Sequence, residues 1–153
     1  MHRLKIILSN PEIPQNTGNI IRTCNVTGSS LILENPLGFS MSSGMIKRSG
    51  MDYIKNVQID IIDNLEDFLK NTKNPFYFFS SKAEKKYTDI SFSKNSIFIF
   101  GSETKGLRKI FKEKWGDRFA TIPMKKNARC INLSTSVAIV LYEALRQFNF
   151  NFD

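Results

Sequence analysis

The sequence predicts an α/β protein with a mainly parallel sheet and helices on both faces of that sheet. Short apolar segments, typical of strands, alternate along the whole chain with capped or amphipathic segments, typical of helices. The 153 residues are the usual size of one domain. The chain has no internal repeat, low-complexity segment or linker, so we expect a single domain over residues 1–153.

The first half of the chain is predicted to contain three strands and three helices. Asn, Pro and Gly residues interrupt the apolar segments, and Asp63-Asn64 is a helix-capping pair. The predicted elements are a strand over 4–8, a helix from 16 that stops at Gly28, a strand over 30–33, a short helix over 43–49, a strand over 57–62 and a helix from 63 to 69.

The second half is predicted to contain three strands, a basic helix over 107–114 and a long terminal helix. The strands cover 76–79, 96–100 and 119–122. In parallel sheets, ligands bind beyond the carboxyl ends of the strands. The candidate ligand-binding loops are therefore those that follow Phe79, Phe100 and Ile122.

The composition excludes several classes of protein. No apolar run approaches the ~20 residues that span a bilayer, and the N-terminal segment is predicted to be a strand rather than a signal peptide. Cys24 and Cys130 are too few for a disulfide framework or a zinc site. We therefore expect a cytoplasmic protein with no metal and no membrane partner.

Histidine-based catalysis is excluded as well. His2 is the only histidine of the chain, and we expect it to lie in a disordered terminus. Catalytic triads, cysteine–histidine pairs and histidine metal sites are therefore not expected.

The net charge of +8 is concentrated in one segment. Residues 82–129 contain 13 Lys or Arg against 5 Asp or Glu, whereas the rest of the chain has 9 of each. Such a local excess is typical of a surface that binds a polyanion. A lysine-rich solubilising surface is the alternative.

Two glycines in "FGSETKG" follow a predicted strand with the first part of a phosphate-loop pattern. Gly101 and Gly106 have the spacing of GxxxxG, but Leu107-Arg108 stands where that loop needs Lys and Ser or Thr. No GxGxxG occurs either. We exclude a nucleotide triphosphatase and a dinucleotide-dependent enzyme, and a simple strand-to-helix turn is the alternative explanation of the glycines.

The segment "NTGNIIRTCNVTG" places Asn16, Asn19 and Arg22 near one face of a short helix. Asn16 is also a candidate helix cap. Arg22 follows Ile20-Ile21, so we expect a partly buried guanidinium that needs an anionic partner, which an RNA phosphate could supply.

The terminal helix begins at "NLSTS", where hydroxyl groups can cap backbone N–H groups, and is then apolar on almost every face. A helix that is apolar all round is expected to be buried all round. We predict that one face covers the sheet and the other meets a second copy in a homodimer; a helix fully buried in its own domain is the alternative.

Three segments together resemble a known family. They are "NTGNIIR", "FGSETKGL" and "IPM" followed by "NLS", in this order and at these separations. They resemble the motifs of the SPOUT superfamily of RNA methyltransferases, and the whole chain looks like its TrmH-type branch of TrmL (YibK-like) tRNA 2′-O-methyltransferases. The resemblance implies a dimer that binds S-adenosylmethionine in a deep C-terminal trefoil knot. Hydrophobic periodicity alone predicts an unknotted sheet.

The resemblance also assigns roles to single residues. Arg22 would be catalytic, with Asn16 and Ser134 orienting the reacting groups, and Glu103 and Asn132 are further orienting candidates. The cofactor pocket would be formed by Phe79, Gly101, Glu103, Ile122, Met124, Cys130 and Leu133. Cys130 stands where close relatives tend to have serine. The basic residues that would contact RNA are Lys82, Lys85, Lys86, Lys105, Arg108, Lys125, Lys126 and Arg129.

The implied reaction is methyl transfer to the ribose 2′-hydroxyl of the tRNA wobble nucleotide, cytidine or a modified uridine. The family assigns proton removal to the arginine at Arg22. A guanidinium keeps its proton in proteins, so we expect Arg22 to position the hydroxyl and a neighbouring phosphate; the alternative is that it acts as the base, and then only in the assembled site. The alternatives are methylation of ribosomal RNA or another tRNA position, and a non-catalytic RNA-binding dimer.

Overall fold

A computed structural model of the chain describes residues 1–50 and 53–152. Six strands form one sheet in the order β3-β2-β1-β5-β4-β6, and every pair of neighbouring strands is parallel. The predicted α/β class with a parallel sheet is confirmed. The strands are β1 (Lys5–Ser9), β2 (Ser30–Glu34), β3 (Ile59–Ile62), β4 (Phe76–Phe79), β5 (Ile97–Phe100) and β6 (Phe119–Ala120).

Five α-helices and three short 3₁₀ helices connect these strands within the described residues. The α-helices are α1 (Pro14–Thr27), α2 (Gly44–Gly50), α3 (Leu65–Asn71), α4 (Lys109–Trp115) and α5 (Leu133–Gln147). The 3₁₀ helices are Ile54–Asn56, Tyr87–Asp89 and Gly116–Arg118.

Side chains alternate along each strand, so they point to both faces of the sheet. Helices cover both faces. In β5, Phe98 and Phe100 pack in a cluster with the apolar residues of α1 and α5. Ile97 and Ile99 point to the opposite face and pack with residues of α3 and α4. The two helical layers thus bury a strand that is apolar along its whole length.

The ends of the helices follow from local sequence signals. Pro14 occupies the first turn of α1, where its missing N–H costs no hydrogen bond. Gly28 ends α1 with φ of 70°, a left-handed conformation that suits glycine. Asn64 begins α3, since its side chain accepts a hydrogen bond from the Asp67 N–H.

The last strand is shorter than predicted. β6 contains only Phe119 and Ala120, and Thr121 continues the pairing by a single bridge to Lys86. Ile122 leaves the sheet directly before Pro123, a residue without an N–H group for further pairing.

The expectation of a disordered His2 is wrong. His2 is 4% exposed, its Nε2 donates to the Thr27 carbonyl at 2.7 Å, and its Nδ1 accepts from the Leu4 N–H at 3.4 Å. Both contacts fit the neutral ring. Burial lowers the pKa of His2 below its usual value, although the bond to Thr27 opposes this shift.

Helix α5 is buried on one face rather than all round. Val140 and Leu141 are fully buried, whereas Ala138 and Ile139 are half-buried and Tyr142 is 43% exposed. The buried face packs against α1 and β5. None of the helices in the described part of the chain is both long enough and apolar enough to cross a membrane.

Candidate active site

A cavity of about 440 Å³ lies at the carboxyl ends of β4, β5 and β6. The loops after Phe79, Phe100 and Ile122 all contribute to its wall, together with the first turn of α5 and the start of α1. The three loops chosen from the sequence therefore meet at one edge of the sheet, as parallel strands require.

The structure places every residue of the predicted cofactor pocket in the wall of this cavity. Those residues are Phe79, Gly101, Glu103, Ile122, Met124, Cys130 and Leu133. Asn16 and Ser136 line the cavity as well, whereas Ser134, predicted to orient the reacting groups, is not part of its wall. The lining combines apolar side chains with hydroxyl, amide and carboxylate groups, a composition suited to a nucleoside with a charged tail.

Sequence reasoning missed several residues of the wall. Ile13, Ser81 and Thr104 line the cavity but were not predicted to do so. Ser80 and Ser81 follow directly on the aromatic strand β4, so two polar residues at a strand end could have been used as a signal.

Gly101 permits a tight turn in the wall. A Cβ atom at this position would lie 2.2 Å from the Gly106 carbonyl carbon and 2.4 Å from the Leu107 nitrogen. The turn is closed by a 2.9 Å bond from the Gly106 N–H to the Ser102 carbonyl, and Gly106 itself has φ of 66°. A side chain at 101 would push the backbone of this loop apart.

The carboxylate of Glu103 binds the start of α1. It accepts hydrogen bonds from the N–H groups of Glu12 at 2.8 Å and Ile13 at 3.2 Å, and from the amide of Asn16 at 3.4 Å. Ile13, the residue that begins the helix, has no side-chain cap of its own. A residue about 90 positions away therefore supplies the negative charge that the helix N-terminus favours.

Asn132 joins the same network from the other side. Its amide nitrogen donates to the Asn16 side-chain oxygen at 3.0 Å. Its own oxygen accepts from the N–H groups of Ser134 and Thr135 at 2.9 and 3.3 Å, and from the Ser134 hydroxyl at 2.6 Å. The chain Glu103–Asn16–Asn132–Ser134 thus connects all three sequence motifs through direct hydrogen bonds.

Arg22 has different surroundings from those expected. It is exposed, and its guanidinium carbon lies 5.2 Å from the centre of the Tyr53 ring. The expectation of a partly buried guanidinium is wrong, because Arg22 lies about 160° around the helix from the buried Ile20 and Cys24. Arg22 is not part of the cavity wall.

Most of the predicted RNA-binding cations are exposed near the cavity. Lys82 and Lys105 line it, while Lys86 and Lys125 line an adjoining open groove of about 420 Å³. Lys126 and Arg129 are exposed on the same loop as Lys125. Within residues 1–50 and 53–152, these six cations take part in no ion pair.

Arg108 and Lys85 differ from that set because protein groups bind them. Arg108 forms a 2.6 Å ion pair with Glu34, which is 1% exposed and also accepts bonds from Ser9 and the Leu65 N–H. Lys85 donates to the carbonyl of Asp117 at 3.3 Å.

The two cysteines have opposite environments. Cys24 is fully buried, and burial raises the pKa of its thiol to about 12. Cys130 is exposed in the cavity wall, with its sulfur 3.5 Å from the Ser81 hydroxyl. Among the described residues, no group of three or more His, Cys, Asp or Glu could hold a metal ion.

Comparisons with known proteins agree with this architecture. The tRNA (cytidine(34)-2′-O)-methyltransferase of Methylovorus glucosotrophus is 39% identical over 147 residues, which cover 95% of this chain and 96% of that protein. A solved structure described as giving insight into 2-OH methylation of C/U34 on tRNA has a TM-score of 0.91 and 34% identity, and covers 98% of this chain and 99% of the other.

A ligand-bound structure is also similar. The AdoMet-bound rRNA methyltransferase of Sinorhizobium meliloti has a TM-score of 0.84 and 26% identity over 95% of this chain and 57% of its own. A sequence profile of the SpoU rRNA methylase family matches residues 3–142. The resemblance read from the three motifs is confirmed, and the chain belongs to the SpoU rRNA methylase family.

Proposed function

We propose that the chain transfers a methyl group from S-adenosylmethionine to the ribose 2′-hydroxyl of the wobble nucleotide of tRNA, cytidine or a modified uridine. The observation that carries this proposal is the cavity at the strand ends, whose wall is joined by the Glu103–Asn16–Asn132 bonds. Membership of the family supports methyl transfer to RNA, and the wobble nucleotide of tRNA is proposed from the relatives named for cytidine 34 or C/U34.

The residues of the cavity suit S-adenosylmethionine. The apolar side chains of Phe79, Ile122 and Leu133 can cover a purine, and polar groups such as Ser81 and Glu103 can bind hydroxyl and ammonium groups. When bound, this cofactor supplies a methyl group that its positively charged sulfur activates.

The protein must then orient the ribose hydroxyl and assist the loss of its proton. Asn16 and Asn132 are held at the cavity by hydrogen bonds, so they are suited to orientation. Arg22 lies outside the cavity wall, so we propose that assembly with a second subunit and tRNA brings its guanidinium to the hydroxyl and a neighbouring phosphate. Ser134 lies in the first turn of α5 and donates its hydroxyl to the side-chain oxygen of Asn132, so it would act through that residue.

The exposed cations would bind the phosphates of tRNA. Lys82 and Lys105 border the cavity, and the loop with Lys125, Lys126 and Arg129 continues the positive surface outward. Phosphate contacts of this kind give affinity without sequence specificity. We assign Arg108 a smaller share, because Glu34 already binds its guanidinium.

The proposal includes a homodimer, a C-terminal trefoil knot and a cytoplasmic location. The homodimer is supported by the exposed apolar side chains of Val26 and Tyr142, which lie on two helices that pack together. The knot is proposed from the family resemblance alone. The location follows from tRNA as the substrate.

The test is a transfer assay with labelled S-adenosylmethionine, using total tRNA and ribosomal RNA in separate reactions. Nuclease digestion and mass spectrometry would identify the labelled nucleotide. We expect one methyl group on the ribose of the wobble nucleotide. Label in ribosomal RNA alone, or at another tRNA position, would overturn the substrate. RNA binding without any transfer would overturn the activity and favour a binding protein.

A further inference from the structure

Glu12, in the loop between β1 and α1, makes contacts that the proposed reaction does not use. Its carboxylate accepts the Thr104 hydroxyl with one oxygen at 2.7 Å and the other at 2.9 Å, and the Thr104 N–H at 3.3 Å. Thr104 lines the cavity, whereas Glu12 does not. Glu12 therefore acts on the cavity through the wall residues that it binds.

The contact is reciprocal. Glu103, next to Thr104, accepts the backbone N–H of Glu12 at 2.8 Å. The loops 10–13 and 101–106 are thus joined in both directions: the carboxylate of Glu12 binds the backbone of the second loop, and that of Glu103 binds the backbone of the first. Crossed bonds of this kind fix the distance between two loops better than a single bond, because neither loop can slide past the other without breaking a bond.

The backbone around Glu12 is also held by a third segment, at Gly38. Gly38 packs against it so closely that a Cβ atom at 38 would lie 2.8 Å from the Glu12 Cα. The Gly38 N–H also donates to the Pro11 carbonyl at 2.9 Å. The backbone of Glu12 is therefore held in place, and its carboxylate binds the more exposed Thr104, the neighbour of Lys105.

The charge of Glu12 strengthens this attachment. Hydrogen bonds from the side chains of Thr104 and Ser102 lower the pKa of the Glu12 carboxyl, and Lys105 adds a favourable charge. Hydrogen bonds to a charged acceptor are stronger than those between neutral groups.

We propose that Glu12 is a positioning residue for the cofactor: it holds Thr104 and Lys105 in the conformation in which they form the wall of the cavity. The proposal rests on the proposed binding of S-adenosylmethionine in that cavity. Glu12 touches neither the cavity nor the reacting atoms, so its effect is on affinity for the cofactor rather than on the chemical step.

The test measures the affinity for S-adenosylmethionine by calorimetry in wild type, Glu12→Ala, Glu12→Gln and Thr104→Val. We expect Glu12→Ala to weaken binding about tenfold, the effect of losing a charge-assisted bond. Glu12→Gln keeps an acceptor for Thr104 and should recover part of the affinity. Glu113→Gln, an exposed glutamate on α4, is the matched control and should bind as wild type.

Two further readouts separate positioning from general destabilisation. Glu12→Ala should weaken binding much less in the Thr104→Val background, because both changes break the same contact. The maximal transfer rate at saturating cofactor should stay within about twofold of wild type, since the Glu12 carboxylate does not touch the reacting groups. Alkylation of the exposed Cys130 should be slowed by cofactor, at higher cofactor concentrations in Glu12→Ala than in wild type.

The outcomes distinguish this proposal from the one on which it rests. Wild type that binds no S-adenosylmethionine would overturn both. Wild-type binding with unchanged affinity in Glu12→Ala would overturn the positioning role alone. Additive losses in the double variant, or a loss of maximal rate equal to the loss of affinity, would also overturn it.

Discussion

Asn16 and Arg22 lie six residues apart on α1 but have different surroundings. Asn16 is 6% exposed and bonded to both Glu103 and Asn132, whereas Arg22 is exposed over the Tyr53 ring. The rotation of the helix accounts for the difference, since six residues turn it through about 240° beyond one full turn. The spacing of the motif identified both residues but did not show to which side of the helix each side chain points.

Replacing Arg22 by Ala should lower the transfer rate by more than about 100-fold. Losses of this size are typical when a charged or polar group that acts at the reacting centre is removed. Affinity for S-adenosylmethionine should stay within about twofold, because Arg22 is not in the cavity wall. Single-turnover kinetics and calorimetry measure the two quantities.

Arg22→Lys is the control, since it keeps the charge and loses the planar fork. Its rate should lie between those of wild type and Arg22→Ala. An undiminished rate in Arg22→Ala would remove Arg22 from the mechanism.

The residues of the cavity could be assigned from the sequence only through the family resemblance. Phe79 and Cys130 have no property by which composition or periodicity separates them from other core or loop residues. Physical reasoning alone selected the three loops. His2 was assigned wrongly because its partner, the Thr27 carbonyl, is a backbone group that no sequence pattern reveals.

Among the elements, the start of α5 has two structural tasks. Asn132 caps the helix through its oxygen and binds Asn16 through its nitrogen. The first task was predicted from the segment "NLSTS", and the second depends on the tertiary fold. The boundaries of most helices and strands were close to prediction because Pro, Gly and Asn mark them directly.

The two tasks can be separated by two substitutions. Asn132→Ala should lower the free energy of unfolding by about 1 kcal/mol, whereas Asn132→Ser keeps a capping oxygen and should stay within a few tenths. Both lose the bond to Asn16, so both should weaken binding of S-adenosylmethionine. Chemical denaturation and calorimetry measure these effects. Wild-type affinity in Asn132→Ser would show that the bond to Asn16 is not needed at the cavity.

At the scale of the whole molecule, the order of the strands could not be predicted. β1 lies between β2 and β5, so the chain fills one half of the sheet and then returns to the other. Each strand is apolar enough to occupy several positions, and hydrophobic pattern does not choose between them. The meeting of Asn16, Glu103 and Asn132 follows from this order.

Neutralising Lys125 and Lys126 with Gln should weaken binding to all tRNAs. If each lysine contacts one phosphate, the slope of log affinity against log salt should fall by about 1.5. Lys73 and Lys94 precede β4 and β5, at the opposite edge of the sheet, and their double Gln variant is the control. An equal slope in wild type and the Lys125, Lys126 variant would show that these lysines do not contact phosphates and would favour the alternative of a solubilising surface.

Folding stability should fall as the pH drops below about 6.5, the usual pKa of histidine. Because burial lowers the pKa of His2 in the folded state, the unfolded chain binds the proton more readily. His2 therefore favours folding fully above that pH and less as acid protonates the unfolded chain.

Thermal unfolding between pH 5 and 8 tests this effect. The decline should be smaller in His2→Gln, which can still donate to the Thr27 carbonyl and does not titrate. Identical pH profiles of wild type and His2→Gln would contradict the assignment.

Transfer to a single ribose hydroxyl can be tested with a tRNA that lacks only that hydroxyl. A tRNA assembled from natural fragments would carry either cytidine or 2′-deoxycytidine at the wobble position, and uptake of labelled methyl would be measured for each. We expect one methyl group per tRNA with cytidine and none with 2′-deoxycytidine. Equal uptake by both, or uptake by neither, would contradict it.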